Sequence, residues 1–330
     1  MKKFSRKLVL SFFSVILVLI TLTASTFAWL SLAMTNYVDN LHFMVSNGGE
    51  FKMTIGDPKK KSIQEFTNWS ESINVEDYLS YVNLANVTSR NGRDFQNRSG
   101  TKADYNAYVE IPLYFKVENV PESYGVFKHV GIYLGDYLEN PSYDEAVNGT
   151  LNGSYIVSRG VTKTAGYEYR NRYGEIVSPG TNGIYYAHDA MRISVCPVEF
   201  DNINTMHLDR DYVSEGKIID LSKEPQYGYA NKADEMYQTP RGAISYEMVE
   251  ETYDIETVDI PETAPVTYGY ADDGEQPILL ELTEVIEGDQ KVYYGKCYVY
   301  VWLEGWDVDC YDVVLKDIIY VGLNFRVKQY

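Results

Sequence analysis

The chain has 330 residues, 45% of them hydrophobic and 23% charged, with a formal net charge of −18. That apolar content excludes a disordered chain and the length can bury one large core or two small ones, while a surface this acidic repels nucleic acid and anionic lipid and favours divalent cations, calcium first. Cys196, Cys297 and Cys310 cannot all pair within one chain, and no C-x-x-C spacing makes them a zinc site, so neither a disulfide scaffold nor a zinc module is written here.

The N-terminus reads as an export signal. Lys2, Lys3, Arg6 and Lys7 precede an apolar run from Leu8 to Leu22, and no acidic residue occurs before Asp39. Cationic residues stay at the cytoplasmic face while the apolar stretch enters the bilayer, and the small residues Ala24, Ser25, Thr26 and Ala28 suit a peptidase pocket. Cleavage between Ala28 and Trp29 is expected, leaving a mature part of 29–330. Trp29, Leu30, Leu32, Ala33 and Met34 also extend the run towards a bilayer span, so an uncut membrane anchor reaching to about residue 34 is the competing expectation. Membrane contact is expected through residues 1–34 alone, with the rest extracellular or on the cell surface. Removing the leader's four basic residues takes the net charge from −18 to −22.

Beyond the leader the vocabulary is that of pleated strands, with 31 tyrosines. Strands are predicted at Leu41 to Val45, Glu50 to Ile55, Lys128 to Leu134 and Ala190 to Val198, each bounded by turn residues. The clearest runs from Tyr108 to Glu118, where Val109, Ile111, Leu113, Phe115 and Val117 alternate with a face expected to be wet. Near the C-terminus, Cys297, Val299, Val301 and Leu303 oppose Tyr298, Tyr300 and Trp302, so that strand is covered on both faces. The final strand carries Ile319, Val321, Leu323, Phe325 and Val327 on one parity, and the two segments are expected to pair. Looser stretches separate them: 57–107 with a short helix near Val75 to Leu84, 135–183, and an acidic insertion around 200–290. From Gly242 to Gln290 there are fourteen acidic residues and no Lys or Arg. Many short strands, long connections and no βαβ alternation predict an all-β fold: a single antiparallel sandwich of jelly-roll type with long loop insertions, preceded by the hydrophobic signal helix.

Catalytic motifs are missing from the sequence. His42, His129, His188 and His207 form no H-E-x-x-H pair, and no nucleophile elbow, phosphate loop or dinucleotide fingerprint occurs. His188-Asp189 with Cys196 is the nearest approach to a nucleophile set, and adjacency in sequence carries little. Cys297 and Cys310 either meet across a hairpin or serve as small buried side chains. The densest constellation is Glu304, Asp307, Asp309 and Asp312 around Gly305, whose oxygens could wrap calcium. The alternative is a structural turn whose aspartates satisfy backbone N–H groups. No other cofactor is expected.

Two segments carry a family resemblance. Ser25-Thr26-Phe27-Ala28-Trp29-Leu30-Ser31 resembles the processing region of the TasA and camelysin group of exported proteins of Gram-positive bacteria, and Tyr37-Val38-Asp39-Asn40-Leu41-His42-Phe43 looks like that group's first mature strand. The stretch from Val301 to Asp312 is similar to the tail of uncharacterised exported proteins with such leaders. The resemblance implies processing by an ER-type signal peptidase and a jelly-roll domain outside the cell. For the better known members it also implies self-association into matrix fibres in which one subunit's N-terminal strand completes its neighbour's sheet. Trp29 to Phe43 would then be the donor segment, with Tyr37, Val38, Leu41 and Phe43 as its side chains. The readings that follow are a surface or biofilm-matrix structural protein, an adhesive or ligand-binding surface module, and a secreted metallopeptidase of camelysin type.

Overall fold

A computed structural model of the chain describes residues 36–46, 50–56, 66–75, 79, 82, 84–97, 101–118, 129–165, 169–170, 176–199, 212–221, 267–268, 276–305, 307, 310, 314 and 316–330. The chain divides into two compact units, Met1–Thr35 and Asn36–Tyr330. The expected leader, with Ala28 and Trp29, lies outside the described residues, as does most of the helix expected near Val75 to Leu84. Among the described residues no helix is long and apolar enough to cross a membrane.

The fold is all-β. In chain order the strands are β1 (Tyr37–Val45), β2 (Glu50–Ile55), β3 (Ser72–Asn74), β4 (Asn86–Thr88), β5 (Gln96–Asn97), β6 (Val109–Glu118), β7 (Val130–Leu134), β8 (Tyr155–Ser158), β9 (Val161–Thr164) and β10 (Tyr169–Arg170). They continue with β11 (Ile176–Val177), β12 (Asn182–Tyr185), β13 (Met191–Pro197), β14 (Lys217–Ile219), β15 (Thr267–Tyr268), β16 (Leu280–Glu281), β17 (Thr283–Glu287), β18 (Gln290–Glu304) and β19 (Ile318–Gln329). Among the described residues a short α-helix, α1 (Tyr143–Val147), and a 3-10 turn, Ala187–Ala190, stand between strands.

Two sheets dominate. The six-stranded sheet runs β16-β7-β19-β1-β3 with β8 also on β19, and the nine-stranded sheet is built round β18. One edge of β18 carries β6 and β4, the other β13 and β17, and β2 extends the sheet beyond β6. Alternation sets the register: Val109, Ile111 and Leu113 of β6 stand opposite Val301, Val299 and Cys297 of β18, which stand opposite Ile193, Val195 and Pro197 of β13. Every row therefore turns its apolar parity the same way. In the other sheet Leu41 and Phe43 stand beside Val321 and Leu323. Residues from both sheets join one buried cluster, where the Phe115 and Phe325 rings meet edge-on at 5.0 Å.

Three sequence expectations are corrected. β18 and the final strand β19 do not pair; they lie in different sheets and supply the same core. Both edges of each are already taken, β19 by β1 on one side and by β7 and β8 on the other, so the apolar rows meet across the core. Nor is the pairing purely antiparallel, because β1–β19, β18–β4 and β14–β15 are parallel. The face of β6 expected to be wet is covered in part: Tyr108 and Tyr114 are buried, while Glu110, Pro112, Lys116 and Glu118 keep partial exposure. Phe95, between β4 and β5, stacks on Tyr108 at 4.1 Å and meets Trp302 edge-on at 5.2 Å, so Val87, Phe95, Ala103 and Ala107 roof the outer aromatics.

The stretch 135–183, read as loose, holds α1 and β8 through β12. Ser142 caps α1 by accepting from the Glu145 backbone N–H while Glu145 reaches back to Ser142, a reciprocal pair that nucleates a helix this short. Behind it Tyr155 lies flat on β19 at Gly322, where a Cβ would come within 2.2 Å of the ring. Only glycine admits that approach.

Candidate functional site

The β1 seam is the first candidate. Val38 and Leu41 are three residues apart, which a period of two would send to opposite faces. The ladder to β19 skips between Val38 and Asn40, bulging out Asp39, and this restores both side chains to the core. Val38, Leu41 and Phe43 are accordingly buried, while Tyr37 is 41% exposed. Three of the four side chains named for a donor strand thus fill this chain's own sheet, and the fourth faces solvent. On its far edge β1 meets the three-residue β3, flanked by Val45 N–H donating to the Glu71 carbonyl at 2.9 Å, Val75 N–H to the Leu41 carbonyl at 3.1 Å and Leu84 N–H to the Asn36 carbonyl at 3.0 Å. Tyr320 Oη donates to the bulged Asp39 carboxylate at 2.5 Å. His42 Nε2 lies 2.6 Å from Ser72 Oγ of β3, and burial lowers the pKa of its imidazole.

The acidic turn after β18 is the second. Glu304 and Asp307 are buried, and Asp309 and Asp312 lie outside the described residues. Neither described carboxylate is held open. Trp302 Nε1 donates to Glu304 Oε2 at 3.0 Å, and Asp307 Oδ2 takes a charge-assisted hydrogen bond from Arg192 Nη2. The same nitrogen lies 3.2 Å from Asp220 Oδ2, and Arg192 Nη1 donates to the Met191 carbonyl at 2.8 Å. Arg192, Asp220 and Asp307 are all fully buried, so one guanidinium from β13 ties the end of β14 to the turn after β18. Sequence reasoning named Asp307 and missed both Asp220 and the cation, Arg192, which lies 115 residues from Asp307. Among the described residues no three His, Cys, Asp or Glu side chains gather as a metal site.

All three cysteines are free and buried. Cys196 Sγ donates to the Gly92 carbonyl at 3.3 Å, and burial pushes its thiol up to about 12, far from a thiolate nucleophile. His188 turns instead to Ser158, whose backbone N–H and hydroxyl stand 3.1 and 3.0 Å from Nδ1, with Asp189 at 3.6 Å from Nε2. Ser158 is 2% exposed, so no substrate reaches that hydroxyl, and the group staples β8 to the turn before β13. Asp317, which the sequence reading passed over, accepts from Gly160, Ala187 and Ile318 backbone N–H groups at 2.8–2.9 Å. Each of these groups is engaged in holding the fold. Comparison with protein-family models, with curated proteins and with solved structures gives no match to this chain.

Proposed function

We propose that this chain is an exported structural protein of the cell surface or extracellular matrix, akin to the TasA and camelysin group, and that it assembles by donating β1 to a neighbouring copy. In this reading the two sheets form a sandwich of jelly-roll type, a description supported by the buried cluster to which both contribute. The observation that carries the proposal is the place of β1. It is the first strand after residue 35, it adds in parallel to the C-terminal strand β19, and it supplies Val38, Leu41 and Phe43 to the core. A terminal strand of that kind can be replaced by the same strand of another chain with every main-chain bond and side-chain pocket conserved. The leader composition supports export by a signal peptidase, after which the donor segment begins at Trp29.

Electron microscopy of the exported protein, with and without calcium, tests this reading. Filaments are expected from the full mature chain, and an excess of synthetic peptide spanning residues 36–46 should stop their growth by occupying the acceptor groove. Filaments that grow unaffected by the peptide, or that form from a chain beginning at Asn47, would end the strand-donation reading.

A further inference from the structure

We infer that β1 is built in two halves, a poorly satisfied half at Asn36–Asn40 and a firmly held half at Leu41–Val45, and that the first half is the point where an incoming strand displaces it. The inference rests on the strand-donation reading above and adds to it the direction and the residues of exchange.

Three observations fall on the same five residues. Asn36 is fully buried, yet its Nδ2 has no hydrogen-bond partner among the described residues, although its Oδ1 accepts from the Asp317 backbone N–H at 3.1 Å. Asn40 Oδ1 is likewise buried and without a partner there. Between them the ladder to β19 is broken by the Asp39 bulge, which removes a pairing step from that half alone. An amide group withdrawn from water and left unbonded favours any state that rehydrates it. Each of these atoms therefore biases the first half towards opening.

The second half has no such defect. From Asn40 to Val45 the ladder to β19 is unbroken, and β3 adds pairs at His42, Phe43 and Met44. Leu41 and Phe43 are fully buried, whereas Val38 is the one apolar side chain that the first half buries. Opening from Asn36 exposes the β19 edge at Ile318–Tyr320 while Leu41 and Phe43 still plug the core. An incoming β1 can pair with that exposed edge and advance residue by residue, so the core is never emptied.

Amide hydrogen exchange of the purified mature chain, read by mass spectrometry, tests the two halves directly. Residues 36–40 are expected to exchange at least tenfold faster than 41–45. The variant Asn40→Val, which removes one orphaned oxygen on a residue that remains in the strand, should slow exchange in the first half several-fold and slow assembly in proportion. Leu41→Val is the contrasting variant, weakening the second half and leaving the gradient shallower. One uniform rate across 36–45, or an Asn40→Val chain with unchanged exchange, overturns the inference. These exchange rates are read on the monomer, so a wild-type chain that never assembles counts against strand donation while the two-half description stands or falls separately.

Discussion

Replacing Arg192 by methionine keeps the bulk of the side chain and removes the positive charge that the structure sets against Asp220 and Asp307 at this buried junction. All three residues are fully buried. Breaking a buried ion pair by deleting one partner costs about 3–5 kcal/mol, because a charge is left without compensation. Against a total of about 5–15 kcal/mol for a folded domain, that is a third or more of the stability. At about 2 °C per kcal/mol for a large domain, the melting temperature of Arg192→Met should fall by about 6–10 °C. Urea titration followed by tryptophan fluorescence reads the loss, and Trp302 lies opposite Arg192 in the β13–β18 register. The companion chain Arg192→Met, Asp220→Leu, Asp307→Leu replaces all three charges by apolar groups and should recover most of the loss, since a buried charge cluster gives little net stability over hydrophobic packing. A single variant that loses less than about 1 kcal/mol, set against that 3–5 kcal/mol expectation, or a triple variant no better than the single, would refute the reasoning.

Iodoacetamide at pH 8 should leave the folded chain unlabelled and modify three thiols after denaturation, because burial raises Cys196 and Cys297 and all three cysteines are free. Stability should depend on His42 on the acid side. Burial holds its pKa below the usual 6.5, so the unfolded chain binds the proton more readily, and the His42 contribution is full above 6.5 and lost as pH falls through that value towards the lower folded one. The urea midpoint of wild type should therefore drop more between pH 7.5 and 5.5 than that of His42→Gln; equal drops would contradict the assignment. Gly322→Ala should cost roughly 1–3 kcal/mol through the clash with Tyr155, and Tyr155→Leu should relieve it in a double-mutant cycle.

The strands were the legible part of this sequence. Period-two alternation placed β2 to the residue and β6, β13, β18 and β19 to within a few, because each buries one parity in a common core. Pairing was not legible, since alternation fixes which face a side chain takes and says nothing of which strand lies alongside. β18 and β19 share a pattern for that reason and still belong to different sheets. The capping box at Ser142 and Glu145 was present in the sequence, but α1 is too short for a periodic signal to accompany it. At the acidic turn the oxygens were visible and Arg192 was not, because a cation supplied from a distant strand leaves no local mark. The Asp39 bulge could have been read from the three-residue spacing of Val38 and Leu41, both of them core side chains.

Strand donation is most directly tested by a cross-link between copies. Met44 and Asn324 are register partners in the parallel β1–β19 ladder. Two populations, one carrying Met44→Cys and the other Asn324→Cys, are mixed, allowed to assemble and oxidised, the native thiols being buried. The account predicts disulfide-linked pairs in assembled material and none in monomer. Filaments that contain both populations yet yield no such link would contradict it.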